Sequence, residues 1–109
     1  MKRASEIVSN IYKKYLPKVK AVGVTLDVDF PDTTLFIEDS ERLEKDLDKS
    51  VKSAISRTKS GQIKITVKNG KFTVSDTGLT LSKSACDLLT TEHVKVKSRV
   101  GFGTTVTIK

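Results

Sequence analysis

The sequence predicts an α+β fold: a two-layer α/β sandwich with a mixed sheet and about three helices on one face. Three observations predict it. Apolar residues recur at helical spacing in three segments. Between and after these segments, apolar and polar residues alternate with the period of a half-buried strand. The two patterns interleave along the chain, as they do where helices cover one side of a sheet and leave the other open.

The elements follow in order. Residues 4–20 read as a helix, with Ile7, Val8, Ile11, Tyr12 and Tyr15 on one side, Ser5 as its N-cap, and Pro17 kinking or ending the regular part. The period then drops to two: Val24, Leu26, Val28 and Phe30 alternate with Thr25, Asp27 and Asp29. Pro31-Asp32 makes a turn, and Thr34 to Glu38 gives a short second strand. Asp39-Ser40 offers caps for a second helix, with Glu41 and Glu44 in its first turns, where the helix dipole favours acids. That helix runs to about Thr58 on a stripe of Leu43, Leu47, Val51, Ala54 and Ile55. Lys59-Ser60-Gly61 ends it.

Ile63, Ile65 and Val67, then Asn69-Gly70, then Phe72 and Val74 give a hairpin signal, because Asn-Gly supplies the positive φ angles of a type I′ turn. Asp76-Thr77-Gly78 follows. Leu81, Ala85, Leu88 and Leu89 form the stripe of a third helix. Val94 and Val96 start one strand, Gly101-Phe102-Gly103 turns, and Thr104, Val106 and Ile108 finish another. Lys64, Lys68, Lys95, Lys97 and Lys109 fall on the polar sides of the late strands, so one sheet face meets water or a partner.

The 109 residues fit one domain, 1–109. No apolar run approaches the roughly 20 residues of a membrane span, so no membrane contact is expected. The basic start, Met1 to Ser5, has no apolar signal core behind it. The lone Cys86 lies in an apolar helical pattern and reads as a buried thiol; a cytoplasmic protein is expected. The net charge of +7 is uneven: +5 over residues 1–20, −6 over 21–50 and +8 over 51–109. A basic second half suits nucleotides, acidic proteins or nucleic acid, or is simply a solvated lysine surface. No metal-ligand cluster, catalytic triad or paired-carboxylate site is evident.

Four motifs, in order, carry a resemblance. They are Glu38-Asp39-Ser40-Glu41-Arg42-Leu43, Ser53-Ala54-Ile55-Ser56-Arg57-Thr58, Phe72-Thr73-Val74-Ser75-Asp76-Thr77-Gly78, and the closing stretch from Val96 to Ile108 with Gly103-Thr104-Thr105. Together they resemble the ATP-binding domain of sensor histidine kinases, of the wider group shared with gyrase, Hsp90 and MutL. The first opens the family's long nucleotide helix. The second resembles Asn-Ala-Ile-Lys-Tyr-Thr near its end, the third the Asp-x-Gly box that holds adenine, and the fourth the closing hairpin. The resemblance implies ATP as ligand, with Mg²⁺ as a further candidate, and a phosphoacceptor or other signalling protein domain as partner.

The departures are specific. Ser53 stands where the family has its Mg²⁺-binding asparagine, and Lys49 where an earlier asparagine lies. Thr80 replaces the second glycine of Asp-x-Gly-x-Gly. Gly78-Leu79-Thr80-Leu81 runs from the adenine box straight into the next helix, without the family's mobile lid. The phosphoacceptor helices are absent, and His93, the only histidine, sits beside a strand and reads as an exposed loop residue.

Candidate site residues follow. Asp76 is the adenine carboxylate by resemblance, and a turn aspartate before Gly78 by the residues alone. Asp46, Lys49, Ser53 and Arg57 share one flank of the second helix by its 100° step. Lys49 and Arg57 can neutralise phosphates, or the flank is a solvated one with an ion pair. Ser53 is the candidate metal ligand, a poor one alone because Mg²⁺ wants several hard oxygens. Thr104 and Thr105 can reach a base edge.

Two functions stand against each other. One is a histidine-kinase-like domain that binds ATP weakly and donates its γ-phosphoryl to a histidine on a separate domain in two-component signalling. The other is a non-catalytic protein-interaction module on the same fold. Nucleic-acid binding is disfavoured, because the late strands carry no aromatic stacking pair. For the adenine role, Asp76→Asn is expected to weaken binding and leave stability nearly unchanged.

Overall fold

The computed structural model describes residues 2–29, 36–58, 61–68, 71–78, 81–99 and 103–109. The elements are β1 (Lys2–Arg3), α1 (Ala4–Val22), β2 (Val24–Val28), β3 (Phe36–Ile37), α2 (Ser40–Arg57), β4 (Gly61–Lys68), β5 (Lys71–Asp76), α3 (Lys83–Leu89), β6 (Val94–Arg99) and β7 (Gly103–Ile108). Five strands form a mixed sheet in the order β2-β4-β5-β7-β6. β2 and β4 are parallel, and every other pair is antiparallel. The three helices cover one face, giving the α+β sandwich that the alternating patterns predict.

The alternation of each strand decides its faces. Ile63 and Ile65 of β4, Phe72 and Val74 of β5, and Val106 and Ile108 of β7 are buried against the helices. α2 meets them with Leu43, Leu47, Val51 and Ala54, and α1 with Ile7, Val8, Ile11, Tyr15 and Val19. Most of the α2 stripe read from the sequence is core; Ile55 is only partly buried and packs at its margin. Cys86 is a buried free thiol, as expected.

Four expectations change. The N-cap of α1 is Arg3, not Ser5, and no side chain caps it. Pro17 lies inside the helix, which continues to Val22 and closes on Gly23 at φ 75°. Pro17 is exposed while Tyr15 and Val19 beside it are buried, so packing holds the helix through the missing N–H. The short strand before α2 does not join the main sheet: β3 pairs with β1, which the sequence does not announce, as Lys2 opposite Ile37 and Arg3 opposite Phe36. The stripe of α3 is largely not core. Leu88 is 85% exposed and Leu89 47%, and Cys86 is the buried residue of that helix.

The β4–β5 hairpin has the expected register, with Lys68 opposite Lys71. Its Asn69-Gly70 turn lies outside the described residues, as do Phe30, Pro31-Asp32, Thr34, Lys59-Ser60, Leu79-Thr80 and Gly101-Phe102. Among the described residues no helix is long and apolar enough to cross a membrane.

Candidate functional site

The sheet brings the ends of β5 and β7 together under the C-terminal turn of α2. Asp76 is opposite Thr104 across β5 and β7, and it is the last residue of β5, with a side chain fully removed from solvent. The approach is close enough to dictate glycine on two sides. A Cβ on Gly103, at φ 83°, would stand 1.9 Å from the Asp76 carbonyl oxygen. A Cβ on Gly78 would stand 2.6 Å from the Arg57 carbonyl oxygen and 2.7 Å from Thr58 Oγ1. The glycine of Asp76-Thr77-Gly78 is therefore what lets the end of β5 pass beneath the end of α2.

Arg57, one turn after Ser53, reaches down to Asp76. Its Nη2 donates to Asp76 Oδ2 at 2.8 Å, and the Arg57 side chain is only 10% exposed. The Gly78 N–H donates to Asp76 Oδ1 at 2.9 Å. Both carboxylate oxygens are thus engaged from within the chain. Arg57 Nη1 also donates to Ser53 Oγ. Arg57 Nε and Thr58 Oγ1 are buried beside this pair without a hydrogen-bond partner among the described residues.

The flank read from helical periodicity is real. Asp46, Lys49, Ser53 and Arg57 line one groove between α2 and the end of α3, floored by the β6 and β7 valines Val96 and Val106. Its volume is 170 Å³. Asp46 is tied to Arg42 at 2.9 Å. Lys49 is exposed, and no carboxylate among the described residues lies within ion-pairing distance of it. Asp76, Gly78, Thr104 and Thr105 are not part of the groove wall.

Thr104 and Thr105 go separate ways. Thr104 is buried, and its hydroxyl shares a 3.0 Å hydrogen bond with that of Ser98. Ser98 also accepts the Leu81 N–H at 2.8 Å, so the pair ties the approach to α3 onto β7. Thr105, one residue on, lies on the open face of the sheet, opposite Ser75 and Lys97. His93 precedes β6 and is not part of the groove.

A second hollow lies elsewhere. A 740 Å³ trough between α1 and α2 is walled by side chains such as Lys14, Glu44, Lys45 and Asp48. Much of that charge is already paired, as Lys2–Glu44 and Lys14–Asp48. Burial resists ionisation of Asp48, but hydrogen bonds from Lys14 and Tyr15 outweigh it and hold the carboxyl below its ordinary value. Burial, followed by the bond to Asp48, pushes the Tyr15 phenol up. This is a structural network between two helices.

The residues present do not fit Mg²⁺. Ser53 Oγ is a single neutral hydroxyl that accepts from a guanidinium, and the wall around it carries Lys49 and Arg57. A divalent cation needs several hard oxygens and no ammonium beside them. Among the described residues no group of three metal-ligating side chains exists. The carboxylate that the resemblance gives to adenine is held here by Arg57 and by the Gly78 N–H, with its side chain out of solvent. Asp76→Asn alters a buried ion pair, so a cost in stability is expected from this geometry where the sequence reading expected almost none.

Sequence reasoning placed Arg57 and Asp76 in one site but missed their pairing. The signal was present: Arg57 stands where the resembled pattern has tyrosine, so the chain introduces a cation on the helix flank nearest its adenine-box acid. The groove's apolar side, Leu89, Val94, Val96 and Val106, is legible in the sequence only as positions of a helix stripe and of two strands.

No protein-family model matches this sequence, and no curated protein matches it. Solved structures do. The chain superposes on the histidine kinase AdeS of Acinetobacter baumannii with a TM-score of 0.73 at 15% identity, over 99% of this chain and 65% of that one. For the nucleotide-free catalytic domain of the histidine kinase ThkA the TM-score is 0.78 at 17% identity, over 96% and 90%. For full-length ShkA in complex with AMPPNP it is 0.74 at 18%, over 94% and 28%. The chain spans less than two thirds of the AdeS and ShkA chains it matches. It has the fold of histidine kinase catalytic domains.

Proposed function

We propose that this chain is a histidine-kinase-type domain that has given up phosphoryl transfer and serves as a protein-binding module in two-component-type signalling in the cytoplasm. The observation that carries this reading is the Arg57–Asp76 pair. On this fold the carboxylate at the end of β5 is the adenine contact that the sequence resemblance assigns, and here an arginine from the same chain takes its Oδ2. Phosphoryl transfer rests on positioning the nucleotide and neutralising its charge through metal and donors. A closed seat and a serine in place of the metal-binding asparagine remove both supports. A fold outlasts an activity readily, because packing and not the site maintains it.

The size of the groove supports the same reading. Pockets for whole small-molecule ligands run from about 300 Å³ upward. The groove here is 170 Å³. Residues 77–82 alone connect β5 to α3, which leaves little chain to close over a nucleotide.

The other reading, a minimal ATP-binding domain that donates its γ-phosphoryl to a histidine on a separate domain, has one observation in its favour. Lys49, Ser53 and Arg57 do share a groove wall, and the two cations suit phosphates. That reading requires Arg57 to leave Asp76 before adenine enters. Calorimetric titration with ADP, with and without Mg²⁺, separates the two. The expected result is no saturable binding below about 1 mM, near 4 kcal/mol, and no effect of chelation. Micromolar affinity that collapses on chelation would restore the kinase reading.

A further inference from the structure

We infer that the groove between α2 and α3 is a docking pocket for one large apolar side chain of an acidic protein segment. The inference rests on the protein-binding reading above and assigns its contact point.

Size comes first. A cavity of about 150 Å³ lined by apolar side chains accepts a benzene molecule. The groove, at 170 Å³, matches a single ring or a branched aliphatic side chain and falls short of a nucleotide. Lining chemistry comes second. Leu89, Val94, Val96 and Val106 make one side, and Leu89 keeps 47% of its surface exposed. The neighbouring Leu88 is 85% exposed. A seven-residue helix that shows two adjacent leucines beside an apolar groove is a small unpartnered apolar surface, and a buried anchor in such a pocket is how interfaces concentrate their affinity.

Charge comes third and selects the partner. On the opposite wall, Asp46 is neutralised by Arg42 and Arg57 by Asp76. Lys49 is left as an exposed cation without an acid in reach among the described residues. An apolar anchor flanked by a carboxylate satisfies both walls, whereas a basic flank would be repelled. Nucleic acid fits poorly, since the groove offers no aromatic face for a base.

The test uses isotope-labelled protein and a short capped peptide, Gly-Glu-Glu-Phe-Glu-Glu-Gly, followed by two-dimensional NMR. Backbone signals of Leu89, Thr91, Val96 and Val106 should move, and affinity should fall at least fivefold when the peptide's Phe becomes Ala. It should fall similarly on Lys49→Glu and on Leu89→Ser, two exposed changes that leave the core intact. Lys13→Glu with Lys18→Glu, a larger charge change on α1, should leave affinity unchanged. Shifts centred instead on Lys64, Lys95 and Lys97 of the open sheet face, or binding indifferent to the Phe, would overturn the inference as mere charge attraction. Tighter binding of a thymidine 20-mer at the same groove would overturn the choice of partner. ADP that displaces the peptide at micromolar concentration would overturn the underlying reading, while silence of the groove to both ADP and peptide would overturn the docking inference alone.

Discussion

Breaking the Arg57–Asp76 pair should cost stability, and the cost measures how firmly the seat is closed. Consider Arg57→Met, which keeps the length of the side chain and removes its charge. Asp76 would remain at zero exposure with its Oδ2 stripped of the guanidinium. Removing one partner of a buried ion pair costs about 3–5 kcal/mol, because the other charge is left without solvent or counterion. Arg57 is 10% exposed and Asp76 is 0%, so little of that is lost to screening by water. A domain of this length has roughly 5–15 kcal/mol of total stability, so the variant should be visibly weakened. With a urea m-value of about 1.5 kcal/mol/M, a loss of 3 kcal/mol moves the midpoint down by about 2 M. The double variant Arg57→Met with Asp76→Asn should recover much of this, because no lone charge remains. The assay is urea unfolding followed by circular dichroism for wild type, both single variants and the double. A loss below about 1 kcal/mol for Arg57→Met, or additive single losses, would show that the pair does not close the seat in solution.

Other outcomes follow from the same geometry. Gly78→Ala should destabilise by about 1–3 kcal/mol in thermal melts, since its methyl would stand within 2.7 Å of the Arg57 carbonyl and the Thr58 hydroxyl. Leu88→Ser should change stability by no more than about 0.5 kcal/mol, because the residue is already 85% exposed. The Asp48 carboxyl is held below its ordinary value of 3.8, so the stability it supplies is complete above that value and is lost as pH falls through the folded-state value. Asp48→Asn should therefore flatten the acid limb of a melting-temperature profile, and an unchanged limb would remove this network from the account. The Tyr15 phenol is raised, which has the opposite sign: its contribution is present below 10.0 and drains at higher pH, so Tyr15→Phe should blunt the alkaline limb.

The sequence by itself determined the layers, their order and most of the core. Period-two alternation places Ile63, Ile65, Phe72, Val74, Val106 and Ile108 on one sheet face, and period-3.6 spacing places Leu43, Leu47, Val51 and Ala54 against them. These are local properties, fixed by how far each residue turns the chain, so they are legible without any partner. The shared flank of Lys49, Ser53 and Arg57 was legible for the same reason. Tertiary structure decided the rest. Leu88 fits a helical stripe as well as Leu47 does, yet α3 sits over the β6 edge, where there is too little sheet beneath to cover it. Pro17 reads as a stop, yet buried neighbours on α1 carry the helix past it. Asp76 reads as a turn residue or an adenine ligand. Only the crossing of β5 under the end of α2 brings it within 2.8 Å of Arg57, nineteen residues earlier in the chain, and so turns an expected binding carboxylate into half of a buried ion pair.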